Sequence, residues 1–487
     1  MEDHSVKPKR IVVVGGGLSG LTAAHRLSQH MGGSYPPFEI IVLEAKDRVG
    51  GAIWTRREGG FTLEGGADSF ITNKPWGVDL CRELGLSDRL IGTDSRHRRS
   101  FVVRQGKLCP VPEGFVLMAP HRLGPLLTSP ILSWRGKMRM LFDLVIPRKG
   151  DDGDESLATF VKRRFGREAL DRLIQPLVGG IYTADPNELS LKATLPQFLR
   201  MEQEHGSLIR AAFRQSREAR SAEKNSSGAR YGLFVSLDEG METLPRELVA
   251  ALPRGTVRTN SPVRRISRTD PISPWRVELL DGDPIMAHVV ILTTEAHASA
   301  RLIDGYDPAL ALQLRSIPYA SSAIVNFAFR RDQVSHPMDG FGAVVPAVEG
   351  RNILAISFLS VKFPSRAPEG SVLMRVFLGG ATQPELFDRE DDELVAIART
   401  ELGELLGVKG EPLLVEVGRH SRAMPQYTLG HTDRVSAIRE QLAKHSCLAL
   451  AGNAFDGVGI PDCIRGARIA ADSALAALLA SANTAAA

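Results

Sequence analysis

Cysteine is scarce: Cys81, Cys109, Cys447 and Cys463 are the only four in 487 residues, and no two stand in a C-x-x-C spacing. That excludes a disulfide-stapled scaffold and the common zinc and dithiol motifs, and it predicts free thiols in a reducing, cytoplasmic compartment with no metal site. Cys463 reads as a small buried residue rather than a nucleophile. Aromatic residues make up 6% of the chain and do not interleave with basic ones as in a nucleic-acid module, so nucleic acid is not an expected partner. No apolar run approaches the roughly 18 residues that a spanning helix needs. The first ten residues, M-E-D-H-S-V-K-P-K-R, carry acidic side chains and no apolar h-region, which argues against a secretory signal or transit peptide. No internal repeat or long low-complexity segment is visible. What remains is an ordinary soluble composition, 43% hydrophobic and 24% charged, in a chain long enough for two or three domains.

What is present starts at Ile11. Residues Ile11–Gly20 read I-V-V-V-G-G-G-L-S-G, an apolar strand running into a G-x-G-x-x-G turn with a helical segment behind it. Gly15 permits the tight turn, Gly17 lets the backbone approach a pyrophosphate, and Gly20 lets helix and strand pack closely. The N-terminus of the helix offers free N–H groups and a positive dipole end to phosphates. A second strand, Glu39–Leu43, ends in Glu44, whose carboxylate can accept both ribose hydroxyls, with Met31–Pro37 as a loop insertion between them. Then comes A-K-D-R-V-G-G, residues 45–51, in which Arg48 can reach a phosphate or the ribityl chain and Gly50–Gly51 gives a second close backbone approach.

This arrangement resembles the D/E-R-x-G-G signature of the FAD superfamily that includes amine oxidases, phytoene desaturases and protoporphyrinogen oxidases. The matching C-terminal signature is Leu448–Ile460, L-A-L-A-G-N-A-F-D-G-V-G-I, with a helix expected from Asp462. The resemblance implies non-covalent FAD, because the Cys-bearing loop of covalent members is missing, and a discontinuous Rossmann-like domain built from both chain ends. The fold class expected is α/β plus α+β: that FAD domain, an antiparallel-sheet substrate domain, and a helical lobe. The expected boundaries are 1–73, 236–296 and 421–487 for the FAD domain; 74–92, 216–235 and 297–420 for the substrate domain; and 93–215 for the lobe.

The lobe is unusual in charge. Thr93–Lys224 holds 23 Lys and Arg against 15 Asp and Glu, whereas the remainder holds 37 against 41. It also holds the apolar stretches Phe115–Ala119, Pro125–Trp134 and Met138–Pro147. Basic and apolar residues together on short helices point either to peripheral contact with a membrane, on the inner face of the cytoplasmic membrane, or to a solvated lobe that lines a ligand cavity. Arg214–Arg230 reads as an exposed helix end and loop, and Ala474–Ala487 as a last helical turn or two with a frayed tail.

Five further segments, in order, are similar to protoporphyrinogen oxidases: G-G-I-Y-T-A-D-P-N-E-L-S (179–190), V-K-F-P-S-R-A-P-E-G (361–370), R-V-F-L-G-G (375–380), P-Q-Y-T-L-G-H (425–431) and V-G-I-P-D-C (458–463). The resemblance implies a six-electron oxidation of protoporphyrinogen IX to protoporphyrin IX in haem biosynthesis, with molecular oxygen reduced to hydrogen peroxide, in an enzyme that is often a homodimer. It carries the pyrophosphate to Gly15, Gly17, Leu18, Ser19 and Gly20, the ribose to Glu44 and Ala45, and the phosphate and ribityl path to Arg48, Gly50 and Gly51. Gly66 and Ala67 pass near the isoalloxazine, Val263 near the adenine, and Gly452, Val458, Gly459 and Ile460 near the pyrimidine side of the ring. For the tetrapyrrole it implies Gly180, whose carbonyl meets pyrrole N–H groups, with Phe341, Val344 and Phe377 sandwiching the macrocycle. Two positions depart from the family. Asp68 stands where Arg or Asn is usual, and there it binds a backbone N–H or pairs with a nearby Arg. Ser100 stands where the propionate-binding Arg is usual, which leaves Arg99, then Arg98, as the anchor. Tyr427 and His431 read as structural. The alternatives are a coproporphyrinogen III oxidase, whose four-propionate substrate wants a more basic cleft; an amine oxidase, disfavoured by Ala52 where a second Arg is typical; a carotenoid desaturase; and a flavin-free Rab-inhibitor-like binding protein.

Overall fold

The structure is a computed structural model and describes residues 8–486 except 32–34, 36, 117, 152, 224–232 and 271–272. Residues 1–7, most of the Met31–Pro37 insertion and the end of Arg214–Arg230 therefore lie outside the described residues, as does nearly half of the expected substrate segment 216–235.

Strand Lys9–Val14 sits at the centre of a five-stranded parallel sheet. Phe38–Leu43 and then Val257–Arg258 lie on one side, and Val289–Leu292 and then Leu448–Leu450 on the other. Its I-V-V-V run is apolar on every residue because both faces of a parallel sheet are covered. Ile11 and Val13 face a layer with helices Leu18–Ser28 and Ile460–Ala486. Val12 and Val14 face the opposite layer, with Trp275 and Ile285 of the antiparallel Val263–Ala287 sheet and with helices Ala296–Ile303 and Pro308–Arg315. Residues 297–315 thus pack on the parallel sheet, although the sequence reading placed them with the substrate domain. The apolar faces of these two helices close the second side of that sheet.

A seven-stranded sheet follows the order Leu414–Pro425, Tyr319–Arg330, Ser371–Gly379, Ala355–Phe358, Gly342–Val344, Phe101–Arg104, Lys107–Pro110. Helix Asp391–Leu406 covers one face through Leu394, Ala398 and Leu402. Two of its strands come from the 93–215 segment, which is therefore not helical throughout. Phe101–Arg104 adds in parallel to Gly342–Val344, and such pairing has no local signal. Phe115–Val116 and Ala119–Pro120 likewise form a small antiparallel pair rather than a helix. The strand ending at Pro425 runs past the boundary expected at 420.

The rest of the lobe is helical around Phe160, Phe165, Leu173, Phe198 and Ile209. Helix Leu157–Arg164 starts where Ser156 Oγ accepts the Thr159 N–H at 3.1 Å. A π-helical stretch, Leu170–Ile174, leads into helix Gln175–Tyr182, which carries Gly180. No helix among the described residues is long and apolar enough to cross a membrane. The C-terminal helix, Ile460–Ala486, is longer than the sequence suggested. It begins two residues before Asp462, and Ala467, Ala471, Ala474 and Leu478 bury one side of it against helix Leu18–Ser28.

Candidate functional site

A cavity of 620 Å³ opens at the C-terminal ends of the parallel strands, where open α/β sheets bind ligands. Gly15, Gly17, Glu44, Ala45, Arg48, Gly51 and Val263 line it. The Glu44 carboxylate is oriented by its own backbone: Oε2 accepts the Gly16 N–H at 2.7 Å and Oε1 the Lys46 N–H at 2.9 Å. Each oxygen keeps a free lone pair for a ribose hydroxyl. Arg48 donates to the Gly51 carbonyl at 2.9 Å and so shapes the second glycine turn. The turn itself is held by Gly50 N–H donating to the Gly16 carbonyl at 2.9 Å. A Cβ on Gly17 meets nothing closer than Gly51 Cα at 3.9 Å, so the protein leaves this approach open for a bound group. An open cradle beside an oriented carboxylate and a helix N-terminus fits the ADP half of a dinucleotide.

Sequence reasoning missed part of this cavity. Thr293, Thr294, Glu295 and Arg301 line it after strand Val289–Leu292, and Arg419, His420, Ser421 and Ala423 come from the distant strand Leu414–Pro425. Only the return of the Val289 strand beside Lys9–Val14 brings the T-T-E segment to the first glycine turn. Thr293 Oγ1 there donates within reach of the Val14 and Gly15 carbonyls, at 2.9 and 3.0 Å.

Leu18, Ser19 and Gly20 lie behind the cavity, buried at the start of the first helix. The Ser19 hydroxyl turns to the Cys463 thiol, leaving its backbone N–H as the group presented at the helix end. Burial pushes the Cys463 pKa up to about 12, which makes it an inert packing residue, as the sequence indicated.

The remote motifs converge on the C-terminal glycine loop. Tyr427, fully buried, donates its O–H to the Asn453 carbonyl at 2.6 Å and accepts the Gly457 N–H at 2.9 Å, so it pins the loop holding Gly452, Val458 and Gly459. Its ring stacks on His431 at 3.8 Å, and burial drives the His431 pKa down to about 4, so the imidazole is neutral. Ser190 N–H donates to the Tyr427 carbonyl at 2.8 Å, and Ala381 N–H to the Thr183 carbonyl at 2.8 Å. The segments around 179–190, 375–380, 425–431 and 458–463 are therefore joined directly. Ile460 is buried in the helix core, and Val458 packs against the lobe.

The face of the seven-stranded sheet away from helix Asp391–Leu406 carries one cross-strand row. Val344 pairs with Ala355, Ala355 with Phe377, and Phe377 with Ile324. Residues in such a register share a face. Val344 and Phe377 are half-buried there, and Phe377 belongs to none of the apolar clusters. Gly180 is exposed, and a Cβ built on it would lie 3.7 Å from Val344 Cγ1, so the helix of the lobe faces this wall. Phe341 stands apart. It lies just outside strand Gly342–Val344, with its N–H on the Arg99 carbonyl.

Two rows further along the same face, Arg375 is buried. Its guanidinium donates to the Gly66 carbonyl at 2.7 Å, to the Glu64 carbonyl and to Asn326 Oδ1 at 3.0 Å. This residue, unremarked in the sequence, clamps the 64–66 segment to the sheet and leaves Ala67 exposed. Among the described residues, Asp68 is hydrogen-bonded by neither a backbone N–H nor an arginine. Lys362 Nζ lies 2.8 Å from its Oδ1, and Ser69 donates to the same oxygen at 2.6 Å. Burial works to raise the Asp68 pKa, but Lys362 and Arg375 outweigh it and hold the carboxyl below the usual range. An ionised Asp68 repels a carboxylate brought to it. Arg99 is engaged with Asp339 through both its carbonyl and its carboxylate. Arg98 has no carboxylate partner among the described residues and lines, with Arg99, Ser100 and Leu177, a separate cavity of 670 Å³ beside the helix of Gly180.

Known proteins share this architecture. The chain is 37% identical to the coproporphyrinogen III oxidase of Propionibacterium freudenreichii over 96% of its own length and 91% of the relative's. It is 33% identical to that of Bacillus subtilis over 96% and 98%. It is 31% identical to the chloroplastic protoporphyrinogen oxidase 1 of Arabidopsis thaliana over 94% and 86%. A solved structure from an Exiguobacterium species superposes with a TM-score of 0.84 at 31% identity, covering 96% of this chain and 99% of its own. Residues 18–475 match the flavin containing amine oxidoreductases, and with the dinucleotide cradle at one end and the glycine loop at the other, the chain belongs to that family.

Proposed function

We propose that this protein oxidises coproporphyrinogen III to coproporphyrin III with non-covalent FAD and molecular oxygen. The observation that carries the reading is the apolar row of Val344, Ala355 and Phe377 that Gly180 faces, with Arg98, which has no carboxylate partner among the described residues, beside the helix of Gly180. A mostly apolar site with few polar contacts suits a macrocycle with charged edges. The protoporphyrinogen reading drawn from the motifs gives way to its alternative, because both bacterial relatives described above are coproporphyrinogen III oxidases. Within the R-H-R-R run at 96–99, Arg96 and Arg99 are held by Asp94 and Asp339, and Arg98 suits an additional propionate.

Bound flavin supplies the hydride acceptor for a meso carbon. The chain positions the two reactants. Glu44 and the first glycine turn hold the nucleotide, and Arg375 sets the backbone of Gly66. Helix Gln175–Tyr182 closes on Thr183, whose N–H donates to the Gly179 carbonyl at 2.7 Å. Gly180 then lies in the last turn, where a helix leaves carbonyls without internal partners, and its oxygen can accept pyrrole N–H groups. Phe377 and Val344 restrain the macrocycle against that carbonyl.

Purified protein supplied with each porphyrinogen in air tests this through growth of porphyrin fluorescence. Coproporphyrinogen III is expected to turn over several times faster than protoporphyrinogen IX; the opposite preference, or no turnover from a yellow protein, overturns the reading. Gly180→Leu is expected to lower turnover about 100-fold while flavin stays bound, because a side chain there enters the cleft. Undiminished turnover would place the substrate elsewhere.

We also infer a peripheral lipid contact on the lobe. Trp134, Met138, Phe142 and Val145 are 68, 53, 55 and 71% exposed, spaced to share one side of helix Trp134–Leu141 and the turn after it. The remaining apolar stretches face inward. Cosedimentation with phosphatidylglycerol vesicles should drop in the Trp134→Ser, Phe142→Ser double variant, and equal partition of variant and wild type sinks this contact.

A further inference from the structure

Between the glycine turn and the apolar wall lies a cluster of three cations, Lys362, Arg366 and Arg375, and two carboxylates, Glu64 and Asp68. The fully ionised cluster carries one excess positive charge. The two arginines are both 2% exposed and spend their donors inside the protein. Arg375 holds the Glu64 and Gly66 carbonyls and Asn326. Arg366 holds the Asp238 and Leu237 carbonyls and Ser236 Oγ at 3.0, 2.8 and 2.7 Å. Lys362 differs. Among the described residues its ammonium, with three N–H groups, uses two, on Asp68 Oδ1 and Ser69 Oγ, both at 2.8 Å. Its side chain is 14% exposed, and its head lies 5.4 Å from the ring centres of both Phe234 and Phe363.

The surroundings indicate what the third donor serves. Lys362 ends the short turn Leu359–Lys362 that follows strand Ala355–Phe358, the strand whose Ala355 sits between Val344 and Phe377. Ala67, next to Asp68, is exposed, and so are Leu233 and Phe234 on the other side. A cationic donor held rigidly among exposed apolar side chains matches the edge of a porphyrinogen, where a carboxylate is tethered to an apolar ring.

We propose that the free N–H of Lys362 binds a propionate carboxylate of the substrate, making Lys362 the specificity-determining cation on this side of the cleft and Asp68 the group that aims it. The proposal rests on the porphyrinogen reading given above. It supplies the charge that the Asp68 and Ser100 positions lack. The cation comes from the distant turn Leu359–Lys362 rather than from the segment where the family pattern places it.

The test is the dissociation constant of coproporphyrin III for FAD-loaded enzyme, read by porphyrin fluorescence, with flavin content measured alongside. Lys362→Met is expected to weaken binding about tenfold, and Lys362→Arg to restore most of it. Asp68→Asn should tighten binding, because it removes the competing carboxylate. The double variant Lys362→Met, Asp68→Asn should stay as weak as Lys362→Met. A Lys362 that only neutralised Asp68 would instead regain wild-type affinity in the double variant, and that result overturns the proposal, as does unaltered binding by Lys362→Met. If Lys362→Met fails to hold flavin, Asp68→Asn decides alone, and unchanged or weaker binding overturns the proposal. Wild-type protein that holds flavin but binds no porphyrin refutes the porphyrinogen reading itself, a result distinct from equal binding by wild type and variant.

Discussion

Gly20→Ala is expected to yield a protein without flavin and with a badly weakened nucleotide domain, whereas Gly17→Ala keeps its fold and loses only cofactor affinity. The two glycines look alike in the motif but meet different surroundings. A Cβ on Gly20 would lie 1.9 Å from the Gly15 carbonyl oxygen and 2.8 Å from Thr293 Oγ1. Neither neighbour can retreat. Gly15 turns at φ +110°, and Thr293 is tied to the Val14 and Gly15 carbonyls. The first helix must move off the sheet, at a cost of at least about 3 kcal/mol. Gly17 has φ −73° and ψ −179°, a conformation open to any residue, and a Cβ there points into free space. Its methyl collides only with whatever the cavity holds. Flavin absorbance and thermal unfolding of both variants, with and without added FAD, check the pair. A Gly17→Ala protein as unstable as the Gly20→Ala one, or a Gly20→Ala protein with full flavin, contradicts this account.

The second large effect belongs to the helical lobe. Arg164 and Asp143 are both fully buried and bonded at 2.6 Å. Asp143 also accepts the Ser207 hydroxyl and the Ile209 N–H, while Arg164 reaches the Ile146 and Gly206 carbonyls. Three segments, 143–146, the end of helix Leu157–Arg164 and 206–209, thus meet on one ion pair. Arg164→Met leaves a buried carboxylate without its counter-charge and is expected to destabilise the lobe by about 3–5 kcal/mol. The double variant Arg164→Met, Asp143→Leu should recover a large part of that loss, since the cost arises from the orphaned charge rather than from the missing bond. Urea midpoints of the three proteins test this. A double variant less stable than the single one would show that the pair contributes net stability of its own.

The elements of the nucleotide domain were legible because they announce themselves locally. Ile11–Val14 is apolar without alternation, Gly15 to Gly20 has the turn spacing, and Glu44 ends the next strand, so cofactor class and sheet type follow from short stretches of chain. The C-terminal loop was legible for the same reason. Phe101–Arg104 was not, because parallel pairing with Gly342–Val344 joins residues some 240 positions apart and leaves no periodicity of its own in a helical neighbourhood. Residues 297–315 carried no address, since one apolar helix face fits either sheet. Arg375 looked like an ordinary strand residue until the register put it beneath Gly66.

By itself, then, the sequence determined the family, the glycine turn with the strand-end carboxylate beside it, and the list of motifs, because backbone geometry at glycines and strand ends depends on near neighbours. The tertiary structure alone decided how those motifs meet. Through Tyr427 it tied the glycine loop to the lobe, set Phe377 and Val344 in one row, moved Arg99 onto Asp339, and gave Asp68 its partner in Lys362. Charges and carbonyls find each other through space in a dry interior, where an unpaired group is costly, and the order of residues along the chain carries no record of which distant partner will satisfy it.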